Sequence, residues 1–375
     1  MQVNKIISIL ILIITVLEGC VDPFYPDIDD NQQSIVIEGT LTDKEGYHYV
    51  RISRSVPYNT RKNAPLEGCS VEIIDNAENT IHFYESEPGL YEQWIDQEFL
   101  KTGKQYKLRV ATSDAVYESK YETMLPCPPV QNVYYEIKEK ETADPDYTIY
   151  GIQFYTDLVV QEGYAKNYRW ELEETWEYHS EYLIFNYYDK TGFHQLTHGR
   201  TDSLYYCWSS ESIHEIYTGT INYITEDSMS RIPLRYVSNE TNRLKVKYSL
   251  LIKQYSLNDT AYEYWNKLKK ESQETVGLYE TQPQQIRGNI SNINDENEIV
   301  LGFFNVSGLS EKRIFVSERF HFFPTTYECE PWNPFLAMPK SPVPIYFTSD
   351  WLLANRECFD CTLRGGTIYK PEFWE

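Results

Sequence analysis

Seven cysteines, seven histidines and a surplus of carboxylates are the residues through which this chain could do chemistry. Four histidines fall in one stretch: His179, His194, His198 and His214. His194 and His198 would share one face of a helix and could ligate an ion together. Their neighbours, Thr191-Gly192 and Thr197-His198-Gly199, read as turn and strand instead. On a strand the two rings stand about 13 Å apart, too far for one ion, so no metal site is expected. The acidic loops at 27–30 and 294–298 lack the twelve-residue spacing, with glycine sixth, of a calcium loop. Glu173-Glu174 has the composition of a glycosidase pair, but adjacent strand residues point to opposite faces. A Gly-x-Ser-x-Gly elbow, a phosphate-binding loop, a His-Glu-x-x-His helix and a dinucleotide fingerprint are all absent. The reading is of a protein that is not an enzyme and carries no cofactor. A hydrolase with an unrecognised site is the enzymatic alternative.

The cysteines point to a compartment. Residues 1–19 have Lys5 ahead of an apolar run, 6–17, too short to span a bilayer and suited to a signal peptide. The run ends at Leu17-Glu18-Gly19-Cys20, a lipobox in which Cys20 takes a diacylglycerol and becomes the mature N-terminus. Glu18 departs from the usual residue there. Residues 20–33 then form a lipidated acidic tether, opening with four Asp and two Pro in 21–30. The lipid is expected to be the only membrane anchor. Six cysteines remain, Cys69, Cys127, Cys207, Cys329, Cys358 and Cys361, with 15 possible connectivities. Cys358-Phe359-Asp360-Cys361 has redox spacing without the βαβ context a redox motif needs. Structural disulfides or buried thiols are expected, with Cys329 joined to Cys358 or Cys361.

The elements that must position these residues are mostly strands. Residues 34–125 carry short alternating runs between turn signals, an Ig-like β-sandwich pattern. The runs include Ile35–Gly39, Tyr49–Arg54 and Tyr106–Val110. Residues 126–129, Pro-Cys-Pro-Pro, form a stiff hinge. Residues 130–375 read as a second β-rich, aromatic domain. Its strand runs include 168–172, 204–208, 243–248 and 299–306. One amphipathic helix, near 259–275, is capped by Asn258 or Asp259 and carries the stripe Ala261, Trp265, Leu268 and Ser272. The tail from 320 is expected to wrap irregularly over the sheets, held by cysteine pairs. The fold class is therefore mainly β.

Composition limits the partners. The chain of 375 residues has 34 Lys+Arg against 56 Asp+Glu, a net charge of -22. Such a surface does not bind nucleic acid through counterion release. Among 33 tyrosines, Tyr187, Tyr188, Tyr205 and Tyr206, with Trp208, are expected to form an interface, as are Trp332 and Phe335. Tyr combines a flat apolar body with a polar tip. A glycan or a peptide would suit such rings. Core packing accounts for most aromatics, but the number of tyrosines exceeds that need.

Several motifs occur together and in order: the lipobox with Asp22-Pro23-Phe24, Ile35-Val36-Ile37-Glu38-Gly39, and Val50-Arg51-Ile52-Ser53-Arg54-Ser55. Gly89-Leu90-Tyr91, Trp351-Leu352-Leu353-Ala354, Cys358-Phe359-Asp360-Cys361-Thr362 and Lys370-Pro371-Glu372-Phe373-Trp374 follow. In this order they resemble an outer-membrane lipoprotein family of Bacteroidota built on a domain of unknown function. The resemblance implies a lipid-anchored protein of the outer membrane, encoded near TonB-dependent receptors; it supplies no catalytic or ligand residues. The acidic tether resembles the export signal that places such lipoproteins on the cell exterior. Three tripeptides resemble the O-glycosylation pattern of these bacteria and mark Ser203, Ser228 and Thr260, although about one match arises by chance and Thr260 also sits at a helix cap. The expected function is a surface lipoprotein acting as a binding or accessory module with a TonB-dependent transporter. The alternative is a structural or adhesion lipoprotein without a transport partner.

Overall fold

The computed structural model describes residues 33–56, 64–144, 146–196, 204–223, 227–274, 285–318, 320, 329–333 and 344–375. Cys20, the signal segment, His198, Ser203 and Phe335 lie outside the described residues. The chain is mainly β, 53% strand in several sheets, with one α-helix among the described residues. No helix among them is long and apolar enough to cross a membrane.

Nine strands precede the proline segment. They are β1 (Ile35–Thr42), β2 (Gly46–Arg54), β3 (Ala64–Pro65), β4 (Ser70–Asp75), β5 (Thr80–Glu87), β6 (Leu90–Ile95), β7 (Gln105–Ala111), β8 (Val116–Ser119) and β9 (Glu122–Thr123). Period-two alternation sets their faces. In β7, Tyr106, Leu108 and Val110 are buried while Gln105 and Arg109 face water. β5 joins the two halves of the sheet. Its first half pairs with β4 and its second half with β6. Ile37, Ile52, Ile73, Tyr91 and Val110 meet in one core.

The chain continues through β10 (Val133–Glu141), β11 (Thr148–Val159), β12 (Asn167–His179), β13 (Asn186–Asp189), β14 (Gly192–Gln195), β15 (Tyr206–Thr220), β16 (Ser228–Ser238) and β17 (Lys247–Leu257). Helix α1 (Asp259–Glu274) follows, then β18 (Ile290–Asn292), β19 (Val300–Leu301), β20 (Phe304–Ser307), β21 (Leu309–Val316) and β22 (Ile345–Phe347). Sheet β10-β11-β16 packs on sheet β15-β12-β17-β21. Phe154 of the first stacks on Tyr248 of the second, ring centroids 5.6 Å apart. A small sheet, β14-β13-β22, lies outside these two.

Three expectations need correction. Residues 130–375 do not form a separate unit throughout, because β18 pairs with β8, and β19 and β20 run parallel beside β1. Their Ile290, Val300, Phe304 and Val306 complete the first core. The run 299–306 is two strands broken at Gly302, whose φ is +89° and where a Cβ would meet the Ile37 carbonyl oxygen at 2.1 Å. The run 243–248 starts as a 3-10 turn at Asn242–Leu244, and the strand begins only at Lys247. Arg243 is drawn inward there by Glu174 (Nε to Oε1, 2.8 Å).

The proline segment is tied down rather than free to bend. The Leu125 carbonyl accepts from the Gly308 N–H and the Ser256 hydroxyl, Gln254 Nε2 donates to the Pro128 carbonyl at 2.8 Å, and Val130 N–H donates to Ser310 Oγ. Glu122 adds a second tie, accepting from Asn289 Nδ2 and from Asn258. Asn258 also caps α1, its Oδ1 accepting from the Ala261 N–H at 2.8 Å. The helix buries Ala261 and Tyr264, with Trp265 and Leu268 packed beside them, while Ser272 is exposed. The apolar stripe therefore turns toward Tyr264 instead of running on to Ser272.

Candidate functional site

Alternation along β12 sorts its charges. Arg169, Glu171 and Glu173 face outward, while Trp170, Leu172, Glu174 and Trp176 face the core. On the neighbouring strand, Tyr255 lies opposite Arg169 and Lys253 opposite Glu171. On the other side the ladder breaks. Trp170 pairs with Tyr217 and Leu172 with Ile213, so His214, Glu215 and Ile216 of β15 face Glu171 alone. Such a bulge bends a strand and opens its ladder. α1 contributes Trp265 at one end. Together these elements enclose a cleft of about 330 Å³, in the lower part of the range of roughly 300–1,000 Å³ for small-ligand sites.

Arg169 is the buried anchor of this cleft, its side chain only 7% exposed. Its guanidinium lies 3.8 Å from the Trp265 ring centroid and 5.0 Å from that of Tyr255, within cation–π range. Its Nη2 stands 2.7 Å from Glu171 Oε1. The Tyr255 hydroxyl donates to the other Glu171 oxygen at 2.8 Å. Burial, and the negative Glu171 beside it, hold the Tyr255 phenol well above its ordinary range. Trp265 Nε1 donates to Asn305 Oδ1 at 3.0 Å, which fixes the ring against the strand that returns to the first sheet. Further along, Glu173 has Lys253 at 3.7 Å and Arg313 at 4.0 Å, both beyond hydrogen-bond length.

The core side of β12 holds the cleft in place. Glu174 is 1% exposed and accepts from Arg243 Nε at 2.8 Å and from the Tyr248 hydroxyl at 2.8 Å, with Arg235 Nη2 at 3.5 Å. Burial, followed by the Glu174 charge, drives the Tyr248 phenol far up. Trp170 Nε1 donates to Gln254 Oε1 at 3.0 Å. Glu173 and Glu174 thus stand on opposite faces of one strand, one in the cleft and one in the core.

The residues singled out in the sequence lie elsewhere. Cys329 is bonded to Cys358, and Cys361 to Cys207; the Cys-x-x-Cys pair splits, Cys358 closing a loop within the tail and Cys361 stapling the tail to β15. Cys69 and Cys127 are free thiols. Tyr187 and Tyr188 stand on β13 with opposite orientation. Tyr187 stacks on His194 (4.6 Å) toward the small core around Phe359, while Tyr188 is half exposed. Tyr205 and Tyr206 close around His179 at the start of β15. Trp208 exchanges backbone hydrogen bonds with Thr367, and Trp332 with Leu353. Tyr187 and Tyr188 belong to the small sheet and Tyr206 and Trp208 to the sheet of β15, while Tyr205 precedes that strand and Trp332 meets Leu353 in an isolated bridge. Ser228 opens β16, half-buried, and Thr260 is exposed in the first turn of α1. His194 bonds to Asp189 and Thr191, and His214 lies exposed at the bulge. Among the described residues no three of His, Cys, Asp or Glu converge as metal ligands.

Sequence reasoning missed Arg169, Lys253 and Trp265 as site residues. The one available signal was the charge alternation Arg169-Glu171-Glu173. It also missed an aromatic group on the first sheet, where Tyr47, Tyr49, Tyr84 and Trp94 are each about half exposed. Tyr47 meets Trp94 edge-on at 5.3 Å.

No curated protein matches the chain. Two solved structures show a distant likeness. Trypsin-activated alpha-2-macroglobulin from Escherichia coli is 10% identical over 63% of this chain, with a TM-score of 0.19. The BSP domain of a biofilm associated protein is 9% identical over 79%, with a TM-score of 0.13. This chain spans 15% and 61% of those two chains. Likeness at these scores carries no argument about fold or function. The family comparison does identify the chain: residues 21–313 match the domain of unknown function DUF4249, and the protein belongs to that family.

Proposed function

We propose that this protein is a lipid-anchored, outer-membrane binding module on the cell exterior that serves a TonB-dependent transporter, with the cleft at the β12–β15 bulge as its ligand site. The observation that carries the binding part is the cleft itself, a concavity built on paired strands and anchored by a buried arginine against Trp265. Interior strands hold side chains more precisely than loops do, which suits a recognition site. No serine, cysteine or threonine in its lining sits within hydrogen-bond distance of a histidine among the described residues, so binding is a better reading than nucleophilic catalysis.

The lipobox at Cys20 and the acidic segment behind it support the anchoring part. With no helix among the described residues long and apolar enough to cross a membrane, an acylated Cys20 is the critical residue for anchoring. Cys20→Ala should move the protein out of the membrane fraction into the soluble one. Retention of the variant in membranes at the wild-type level would overturn the anchoring reading.

A further inference from the structure

We infer that the cleft takes a neutral, hydroxyl-rich ligand, a short stretch of uncharged glycan; this rests on the cleft being the ligand site. The argument begins with charge. Arg169 and Lys253 face Glu171 and Glu173 across the lining, and the third carboxylate there, Glu215, is paired with Arg235 at 3.3 Å, so no unpaired excess of one sign prevails. An anionic or cationic ligand would pair with one set and leave the other desolvated and unmatched, which is costly.

Hydrogen-bonding capacity comes next. Arg169 and Glu171 are engaged with each other, and Glu171 with Tyr255, although Arg169 Nε is buried without a hydrogen-bond partner among the described residues. Glu173 and Lys253 are not engaged in this way. Glu173 stands 3.7 Å from Lys253 and 4.0 Å from Arg313, too far for direct hydrogen bonds. Lys253 has no acceptor at hydrogen-bond distance among the described residues, and Glu173 has no donor. Acceptor and ammonium donor thus stand side by side with space in front of them. A hydroxyl group both donates and accepts, so adjacent hydroxyls satisfy Glu173 and Lys253 together. Ser212, directly opposite Glu173 on β15, adds a group of the same kind.

The backbone argues against an extended peptide. Peptides add to open strand edges through main-chain hydrogen bonds. Here β12 is paired on both sides, to β15 and β17, and β17 is paired in turn to β21, while β15, which forms one wall, is the edge strand of the sheet. Over the floor that carries Glu171, Glu173 and Lys253, recognition must come from side chains. Glu171, Glu173 and Lys253 are each about a third or more exposed, so the cleft is open along one side and suits a segment of a longer chain as well as a free end.

The test uses the full-length protein in mild detergent on an array carrying neutral, sialylated and sulfated glycans together with short peptides. The proposal expects retention on neutral glycans, weakened about tenfold or more in Glu173→Gln and in Lys253→Met. Both positions are partly exposed, and melting temperatures near that of the wild type confirm that the variants remain folded. Retention on charged glycans or peptides instead, no retention on any neutral glycan, or wild-type retention by both variants would overturn the inference. If Cys20→Ala leaves the membrane fraction as expected while the array fails, the ligand class falls and the anchored module stands.

Discussion

Replacing Glu174 by Gln removes the charge on which the inner face of the cleft strand rests. The side chain is 1% exposed, and it serves Arg243, Tyr248 and Arg235 at once. The substitution keeps the volume but leaves two guanidinium groups without their shared carboxylate. Arg243 keeps Glu211 and Arg235 keeps Glu215, both of which are more than half exposed. Removing one partner of a buried ion pair costs about 3–5 kcal/mol, and these residual pairs place Glu174→Gln near 3 kcal/mol. Tyr248→Phe deletes a hydrogen bond to a charged acceptor, worth about 1.5–3 kcal/mol. Because the two side chains share one bond, the double variant should fall short of the sum by about 1–2 kcal/mol. Urea unfolding followed by tryptophan emission, with unchanged slopes, gives all four stabilities. A Glu174→Gln loss below about 1 kcal/mol, or additivity within about 0.5 kcal/mol, would refute the claim that this carboxylate anchors β12.

Three further outcomes follow from the same reasoning. Burial raises the Asp75 carboxyl, but the Asn79 amide, the Lys104 ammonium at 3.0 Å and the Asn79 and Ala77 N–H groups outweigh it and hold the carboxyl at about 2. A depressed folded value means that its stabilisation is complete above about pH 4 and lost as pH falls through 2; melting curves of wild type and Asp75→Asn should converge over that window by roughly 2 kcal/mol. The Cys207–Cys361 bond closes a sequence separation of 154 and the Cys329–Cys358 bond one of 29. On loop-closure arguments the first is worth up to about 5 kcal/mol and the second between about 3 and 4, so Cys361→Ala should lower the calorimetric melting temperature more than Cys358→Ala. Burial raises the Cys69 thiol and pushes Cys127 up to about 12; iodoacetamide should label both much more slowly in the native protein than after denaturation, and Cys127 more slowly than Cys69.

The strands were legible because each carries its own signal. Tyr106, Leu108 and Val110 alternate with Gln105, Lys107 and Arg109, and that pattern needs no partner to be read. What joins to what was not legible. β19 and β20 lie beside β1 across more than 250 residues of chain, and parallel pairing leaves no local mark. The bulge was hidden for a related reason. Residues 206–220 form one continuous strand, and the extra residues show only against β12.

Cysteine pairing was narrowed for Cys329 but not for Cys207, whose partner lies 154 residues on. The tyrosine excess has a more internal explanation than a partner surface. Tyr91, Tyr106 and Tyr178 are buried, and their hydroxyls donate to the carbonyls of Leu66, Phe99 and Cys361. Tyr serves there as a core residue that satisfies main-chain acceptors otherwise left alone. The cleft required β12, β15, β17 and α1 to come together, and only the charge alternation of the first was visible in the sequence.

The central claim is that the protein serves a membrane transporter from a lipid anchor. Its most direct test is affinity purification of the tagged, natively expressed protein from outer membranes in mild detergent, with the copurified proteins identified and quantified by mass spectrometry. The account predicts a TonB-dependent receptor at near-stoichiometric yield, lost when Cys20→Ala replaces the wild type. Recovery of the lipidated protein with no receptor above background would contradict it.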